Sequence, residues 1–273
     1  MRVGLIGCGA IGTALAHMID IGEAGNVELS WVYDLKQECS LRLAAGLKHR
    51  PRILHHHEEI FAEKNADIVV EAASQEAVRQ YSLGILRSGK DLIILSVGAL
   101  CDDEFLSRLR EESERQGRKI YVPSGAVIGI DGVKSASLRK ISTVRLVTRK
   151  PPVAFKDNEY LSRKGVKLSH LRTPKIIFTG TAREAVKLFP ASVNVAATLS
   201  LAGVGFDRTM VTIVADPRIK RNIHEIRMEG ESGELIARSI NKPFLESPRT
   251  SYLAALSAAR TLRNLSEAIQ IGT

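Results

Sequence analysis

The sequence contains few of the features that mark exported or membrane-spanning chains. Only three of its 273 residues are cysteines, and Cys8, Cys39 and Cys101 show neither a paired spacing nor the spacing of metal ligands. Since exported proteins usually pair their cysteines, this usage predicts a cytoplasmic protein without a metal site. No apolar run approaches the roughly 18 residues that span a membrane, so no membrane partner is expected.

Aromatic residues are also scarce, at 5% of the chain, although the formal net charge of +9 is a value that nucleic-acid-binding proteins share. Lysine and arginine are interleaved with aspartate and glutamate along most of the chain, and no nucleic-acid-binding motif is visible. The cluster at His55–His57 has no second ligand group at a suitable spacing, which favours a solvated loop over a metal centre. We therefore predict an anionic cofactor and substrate, and no nucleic-acid partner.

What the chain does contain is a glycine-rich turn between an apolar run and an amphipathic helical pattern, at its N-terminus. Gly7 permits a tight turn, Gly9 lets the backbone approach a pyrophosphate, and Gly12 lets the helix pack close to the strand. The free amides and the positive dipole end of a helix that begins near Ala10 attract phosphate. Ala10 and Ile11 therefore join the three glycines as predicted cofactor-binding residues.

A second apolar run ends in Asp34, 22 residues after Gly12. A carboxylate at this distance is placed to accept hydrogen bonds from the adenosine ribose hydroxyls. The same carboxylate repels a 2′-phosphate, which predicts NAD as the cofactor. Lys36 lies two residues further on and softens that repulsion, so that use of NADP at reduced efficiency is also expected.

The remaining pattern divides the chain into two predicted domains. Near-continuous apolar strands alternate with helices up to Pro123, which is typical of a doubly wound α/β domain with a parallel sheet. Later strands alternate apolar and polar residues, which favours a second α+β domain with a mixed sheet. We predict a dinucleotide-binding domain at residues 1–123 plus 250–273, and a substrate-binding and dimerisation domain at residues 124–249. The strands of the second domain are expected at 143–148, 175–179, 209–215 and 222–229, with a helix at about 192–201. A last helix at 251–268 is expected to pack on the first domain.

Small residues follow the strands of the first domain at their carboxyl ends, where ligands of doubly wound sheets bind. Ala73, Ser74 and Ser96 are therefore predicted to lie against the nicotinamide half of the cofactor. Small residues are also tolerated in turns that bind nothing, and the sequence leaves this alternative open.

One histidine has the surroundings of a proton-transfer group. His224 lies near the start of a predicted strand, where Asn222 and Ile226 share its face because side chains alternate along a strand. The ordinary pKa of histidine lies near neutrality, which suits a catalytic acid or base. A surface histidine, or one satisfied within the core, is the alternative.

The chain resembles the archaeal and bacterial L-aspartate dehydrogenases that feed NAD biosynthesis. The resemblance covers nearly the whole length, and the pair of segments at 148–152 (TRKPP) and 222–226 (NIHEI) is its most specific part. One departure is Ala191–Ser192, where the resemblance predicts an asparagine. The other matching segments are 7–12, 67–74, 123–131, 194–199, 215–217 and 241–243.

The resemblance implies a Rossmann domain, a second α/β domain whose open sheet builds a homodimer, and oxidation of L-aspartate to 2-iminosuccinate. That imine supplies NAD biosynthesis, with functional coupling to quinolinate synthase, or hydrolyses to oxaloacetate and ammonia. The resemblance also implies that His224 is the catalytic acid or base and that Ala126 and Asn194 contact the nicotinamide.

A dicarboxylate substrate requires charged donors, which makes Arg149 and Lys150 predicted substrate-binding residues. Asn222, which shares the face of His224, is predicted to join them. An exposed basic turn without a ligand is the alternative for the first two of these. Other functions remain open at this point. They are another two-domain dehydrogenase, related to homoserine dehydrogenase or dihydrodipicolinate reductase, and a non-catalytic NAD- or RNA-binding protein.

Overall fold

The computed structural model describes residues 1–190 and 193–272 of the chain. The chain divides into two compact units, each of which is described by itself. The first unit comprises Met1–Pro123 and Ala255–Gln270, and the second comprises Ser124–Ala254 and the residues that follow Gln270.

The first unit is built on a six-stranded parallel sheet. The spatial order of its strands is 3-2-1-4-5-6. The second and third strands therefore lie on one side of the first strand, and the fourth to sixth strands lie on its other side. All four residues of the fourth strand are buried, because helices cover both faces of such a sheet. The strands are β1 (Arg2–Ile6), β2 (Glu28–Tyr33), β3 (Arg52–Ile53), β4 (Ile68–Glu71), β5 (Asp91–Ile94) and β6 (Ile120–Tyr121).

Helices lie between these strands, and side chains among the described residues cap the first turn of two of them. The helices are α1 (Ala10–Asp20), α2 (Gln37–Ala45), α3 (Glu59–Ala62), α4 (Gln75–Arg87) and α5 (Asp103–Gln116). At the start of α5 the Asp102 carboxylate accepts a hydrogen bond from the Phe105 amide, and the helix ends at Gly117, whose φ of +61° is left-handed. The Ser74 hydroxyl caps α4 in the same way by accepting from the Ala77 amide.

The second unit contains a five-stranded mixed sheet of order 11-10-7-9-8, in which only the seventh and ninth strands run parallel. Its strands are β7 (Ile141–Lys150), β8 (Lys175–Thr181), β9 (Thr209–Ala215), β10 (Asn222–Gly230) and β11 (Gly233–Asn241). Its helices are α6 (Ile130–Ala136), α7 (Glu159–Arg163), α8 (Ala182–Leu188) and α9 (Asn194–Ala202), and α10 (Tyr252–Ser266) continues into the first unit. Ala191 and Ser192, the site of the departure and the predicted start of α9, lie outside the described residues.

The edge strand β11 is absent from the predicted strands. It pairs with β10 residue by residue from Asn222 opposite Asn241 to Gly230 opposite Gly233. Its exposed positions mix Glu234 with apolar residues, so that no clean alternation marks it in the sequence. The pairing is decided by the hydrogen bonds that β10 offers, which are not visible in the sequence of β11 alone.

The observed architecture is the predicted one, a doubly wound parallel sheet followed by an α+β unit with a mixed sheet. The loop at His55–His57 leads into α3, where the amides of His55 and His56 donate to the Glu59 carboxylate at 2.9 and 2.8 Å. Within the described part of the chain, none of the helices has the length and apolar character needed to cross a membrane.

Candidate functional site

The glycine turn of the first unit leaves open space where a ligand can approach the backbone. Gly7 has a φ of +96°, and a Cβ atom on Gly12 would lie 1.9 Å from the Gly7 carbonyl oxygen, so both positions require glycine. A Cβ atom on Gly9, in contrast, would meet no protein atom within 4 Å. The turn is therefore closed on its inner side and open at Gly9, as the approach of a pyrophosphate requires.

The helix that follows this turn presents amides suited to an anion. α1 begins at Ala10, its N-cap residue is Gly9, and no side chain of the described residues caps it. Its first turn contains no acidic residue. The free N–H groups and the positive end of the helix dipole therefore favour a phosphate at this position.

Asp34 lies directly after β2 and is tied to the glycine turn. One carboxylate oxygen accepts the Cys8 amide at 2.7 Å, and the other accepts the Lys36 amide at 2.8 Å. Each carboxylate oxygen can accept a further hydrogen bond, so a ribose hydroxyl remains a possible partner. Burial raises the pKa of the neighbouring Cys8 thiol to about 11, which keeps the thiol protonated and unreactive.

A buried carboxylate that the sequence did not mark joins two strand ends of the first unit. Glu71 is the last residue of β4, and its side chain accepts hydrogen bonds from the amides of Ala73, Ser74 and Ser96 and from the Ser96 hydroxyl. Three of the predicted nicotinamide contacts are thus held together by one side chain. Glu71 ends an apolar run in the sequence. The one feature that could have indicated its role is that a carboxylate stands at the end of a predicted strand.

The second unit carries a set of buried polar side chains at one end of one face of its sheet. His224 pairs across the sheet with Thr148 on one side and Ser239 on the other, and Asn222 pairs with Asn241. Side chains of paired residues point to the same face, so three neighbouring strands contribute to one polar surface. The buried polar residues of this surface are Thr148, Lys150, Asn222, His224, Ser239 and Asn241.

The ring of His224 is held by one hydrogen bond, between Nδ1 and the Thr148 hydroxyl at 3.1 Å. The side chain is 2% exposed. Burial, and secondarily the positive charge of Lys150, lower the pKa of His224 to about 3. The expectation of a histidine that titrates near neutrality is therefore corrected for the free protein, because both effects disfavour the imidazolium form.

A segment that precedes α10 lies over the other polar residues of this surface. The Asn222 amide group donates to the Pro248 carbonyl at 3.2 Å and to the Ser251 hydroxyl at 3.3 Å, and the Lys150 ammonium group donates to the Arg249 carbonyl at 2.8 Å. Burial, and then the positive charge of Arg249, lower the pKa of Lys150 to about 8. The segment therefore brings a second cation, Arg249, close to Lys150, a placement that the sequence did not predict.

The predicted pair Arg149 and Lys150 is divided between the two faces of the sheet. Arg149 pairs with Ile223 on the opposite face from His224, and its guanidinium group lies 3.3 Å from the Asp216 carboxylate. Burial opposes ionisation of Asp216, but hydrogen bonds from Arg218 and Arg149 outweigh it, and the pKa of Asp216 is lowered. Lys150, but not Arg149, thus shares the surface that carries His224.

The two predicted nicotinamide contacts of the second unit have different surroundings. Ala126 is buried, and its carbonyl oxygen accepts hydrogen bonds from the Asn241 amide group at 2.8 Å and the Ser239 hydroxyl at 3.0 Å. Asn194 is the first residue of α9. The polar surface thus fixes the backbone at Ala126 through two side chains that the sequence analysis did not single out.

The two units together define a class of protein. An open glycine turn at the start of a doubly wound sheet is a dinucleotide-binding arrangement, and the residues present fit such a cofactor at the free amides of α1. The second unit adds a buried histidine and a lysine, groups able to transfer a proton. This combination defines a nicotinamide-dependent dehydrogenase.

Comparison with known proteins identifies the family. Residues 7–123 match the NAD-binding domain of homoserine dehydrogenase, and residues 131–265 match the C-terminal domain of aspartate dehydrogenase. The L-aspartate dehydrogenase of Methanosarcina barkeri is 46% identical over 273 residues, which are 100% of each chain. The chain belongs to the L-aspartate dehydrogenase family.

Two further comparisons agree with this assignment. The L-aspartate dehydrogenase of Archaeoglobus fulgidus is 43% identical over 271 residues, covering 99% of this chain and 100% of its own. The crystal structure of aspartate dehydrogenase from Thermotoga maritima has a TM-score of 0.77 at 33% identity and covers 100% of this chain and 99% of its own. The predictions of the family, the fold, an oxidoreductase and NAD as its cofactor are confirmed.

Proposed function

We propose that this protein catalyses the NAD-dependent oxidative deamination of L-aspartate to 2-iminosuccinate, which hydrolyses to oxaloacetate and ammonia or supplies NAD biosynthesis. The observation that carries the proposal is the buried His224–Thr148 pair, with Lys150 on the same face, in a chain of this family. NAD, held at the glycine turn before α1, would supply the acceptor for the hydride of the substrate carbon. The residues of this chain bind both molecules and move the proton.

The cofactor is assigned to the glycine turn and the strand ends. The amides of α1 would hold the pyrophosphate, and the Asp34 carboxylate would accept the ribose hydroxyls, with NADP used less efficiently. The small residues at the strand ends would leave room for the nicotinamide half. The assigned cofactor-binding residues are Gly7, Gly9, Ala10, Ile11, Gly12, Asp34, Ala73, Ser74, Ser96, Ala126 and Asn194.

His224 is assigned as the acid and base of the reaction. The hydrogen bond between Nδ1 and the Thr148 hydroxyl orients the ring and leaves Nε2 to exchange a proton with the substrate amine or with the hydrolytic water. In the free protein the ring is neutral, because its pKa lies at about 3. A bound dianionic substrate would raise this pKa, because negative charge stabilises the imidazolium form.

The substrate carboxylates are assigned to the cations and amides beside His224. Lys150 and Asn222 lie on the same face of the sheet as His224. The Arg249 carbonyl accepts a hydrogen bond from Lys150, which places Arg249 beside them. Arg249 also lines a cavity of about 390 Å³. Arg149, in contrast, lies on the other face and pairs with Asp216, so Lys150 and Arg249 supply the charged donors beside His224. Charged donors of this kind match a dicarboxylate.

The activity is tested by following reduced nicotinamide. Purified protein is mixed with NAD and L-aspartate, L-homoserine or L-glutamate, and the absorbance of NADH is recorded. We expect turnover with L-aspartate and, in the reverse direction, consumption of NADH with oxaloacetate and ammonia. Turnover of L-homoserine instead would favour the other two-domain dehydrogenases. NAD binding without turnover of any amino acid would favour a non-catalytic protein.

The protein is also proposed to be a homodimer that pairs through its second sheet. The face opposite His224 exposes apolar side chains, with Ile236 at 56%, Ile240 at 52% and Met210 at 40% exposure. A second copy would cover such a face. Light scattering is expected to give twice the chain mass, and Ile236→Lys is expected to reduce it. An active wild-type monomer at micromolar concentration would contradict the proposal.

Its cellular setting is proposed on chemical grounds. The three cysteines form no disulfide bond, which fits a reducing compartment such as the cytoplasm. The imine product hydrolyses readily in water, so functional coupling to a quinolinate synthase would protect it. Addition of a quinolinate synthase together with its three-carbon co-substrate is expected to lower the yield of oxaloacetate per NADH formed. An unchanged yield would contradict the coupling.

A further inference from the structure

The carboxylate of Glu71 collects four hydrogen bonds at the carboxyl ends of two neighbouring strands. Oε1 accepts the amides of Ala73 and Ser74 at 2.8 and 2.9 Å and the Ser96 hydroxyl at 2.8 Å. Oε2 accepts the Ser96 amide at 3.0 Å. The side chain is 1% exposed, so protein groups alone surround the carboxylate.

These contacts favour the ionised form of Glu71. Each of the three amides only donates, and a carboxylate that accepts several such bonds is stabilised in its charged form. Burial nevertheless raises the pKa of Glu71, and its hydrogen-bond partners are neutral amides and a hydroxyl. A buried negative charge of this kind is costly unless a positive charge lies near.

The topology places this charge beside the nicotinamide half of the cofactor. In sheets of this strand order a dinucleotide lies across the carboxyl ends where the order reverses, here between β1 and β4. Asp34, at the end of β2, belongs to the half proposed to hold the adenosine. The nicotinamide would therefore lie over the other half, where Glu71 ends β4 and Ser96 follows β5.

We propose that Glu71 makes the cofactor site prefer the oxidised nicotinamide, whose ring carries a positive charge, over the reduced nicotinamide, whose ring is neutral. This inference rests on the proposed cofactor site. In this inference Glu71 has two roles. It selects between the two redox forms of the cofactor, and it positions Ala73, Ser74 and Ser96. At a separation of several ångströms inside a protein, one such charge changes the affinity of a cation by about tenfold or more.

The test measures the dissociation constants of NAD⁺ and NADH by isothermal titration calorimetry in the wild type and in Glu71→Gln. The two forms share the pyrophosphate and adenosine contacts, so changes in those contacts cancel in the ratio of the two constants. We expect the wild type to bind NAD⁺ more tightly than NADH. In Glu71→Gln the ratio of the NADH constant to the NAD⁺ constant is expected to fall by about tenfold.

Glu112→Gln is the matched control, since it removes the same charge from a buried carboxylate of α5 that pairs with Arg87 and Arg115. Its ratio is expected to equal that of the wild type. Glu71→Asp keeps the charge while weakening the amide contacts, and its ratio should stay within about twofold of the wild type.

An unchanged ratio in folded Glu71→Gln would overturn the inference. If that variant does not fold, a wild-type protein that binds NADH more tightly than NAD⁺ would overturn it as well. In both cases turnover of L-aspartate would leave the proposed function standing. Failure of the wild type to bind either form would instead reject the proposed cofactor site.

Discussion

The two units of this protein present their candidate functional groups in different ways. In the first unit the groups are backbone amides, exposed by glycines that lie within six residues of one another, from Gly7 to Gly12. In the second unit they are side chains from three neighbouring strands, buried on one face of a sheet. The first arrangement offers backbone amides that do not titrate, whereas the second contains side chains that are able to change charge. Substitutions in the first unit should therefore act on cofactor affinity, and those in the second on turnover and pH dependence.

The largest expected effect comes from the second unit and would sharpen this comparison. His224→Ala removes the proposed acid and base, so turnover should fall by about a hundred- to ten-thousand-fold. The affinity for NAD should stay unchanged, because the glycine turn belongs to the other unit. Steady-state kinetics with L-aspartate and calorimetric titration with NAD measure the two quantities.

His17→Ala is the control for this variant, because His17 is an exposed residue of α1. It should leave turnover close to that of the wild type. If His224→Ala keeps near-normal turnover at saturating L-aspartate, the role of His224 is wrong and Lys150 becomes the next candidate.

The same difference explains how much of the site could be predicted from the sequence. The glycine turn is readable because Gly7, Gly9 and Gly12 act through their own backbone within one short segment. The alternation of β10 likewise places His224 and Asn222 on one face. Long-range pairing carries no such local signal, and the histidine's partner Thr148 lies 76 residues away.

Three further features escaped prediction for related physical reasons. Ser239 and Asn241 lie on β11, whose pairing depends on β10 and not on its own pattern. Glu71 looks like the polar end of an apolar strand until the turns after β4 and β5 are seen to converge on it. The low pKa of His224 follows from its burial beside Lys150, which is a property of the folded sheet.

The next largest effect concerns the glycine turn, where two neighbouring substitutions should separate binding from folding. The Gly9 backbone is extended, and a Cβ there meets no protein atom, so Gly9→Ala should fold with an unchanged melting temperature. Its methyl group would occupy the pyrophosphate's approach, and the affinity for NAD should fall by about a hundredfold as charge-assisted hydrogen bonds are lost.

Gly12→Ala is the contrasting variant, because its Cβ would lie 1.9 Å from the Gly7 carbonyl oxygen. It should lower both the melting temperature and the affinity for NAD. Thermal unfolding and calorimetric titration distinguish the two. Normal NAD binding by Gly9→Ala would show that the pyrophosphate does not lie on this turn and would break the comparison between the units.

A smaller effect concerns the free energy of unfolding, whose pH dependence tests whether the folded second unit keeps His224 neutral. The pKa of His224 is lowered from its usual value of 6.5 to about 3 in the folded protein. Between these values the unfolded chain binds a proton that the native state does not, so the free energy of unfolding falls as the pH is lowered. From pH 7 to pH 5 this histidine should remove about 2 kcal/mol of stability.

Urea unfolding at pH 7 and pH 5 measures this loss, and His224→Asn should lose less than the wild type by about that amount. His17→Asn, which changes an exposed histidine of the first unit, should lose as much as the wild type. An equal loss in His224→Asn and the wild type would show that the buried surface does not hold the histidine neutral.

The smallest expected effect concerns the preference for NAD over NADP. It tests Asp34, the titratable side chain of the first unit that is proposed to contact the adenosine. Asp34→Asn keeps an oxygen for the Cys8 or Lys36 amide but removes the charge that repels a 2′-phosphate. The ratio of kcat/KM for NAD to that for NADP should therefore fall by about tenfold. Glu38→Gln removes the same charge from an exposed position of α2 nearby and should leave the ratio unchanged. A wild-type preference for NADP, or an equal shift in both variants, would show that general surface charge and not Asp34 selects the cofactor.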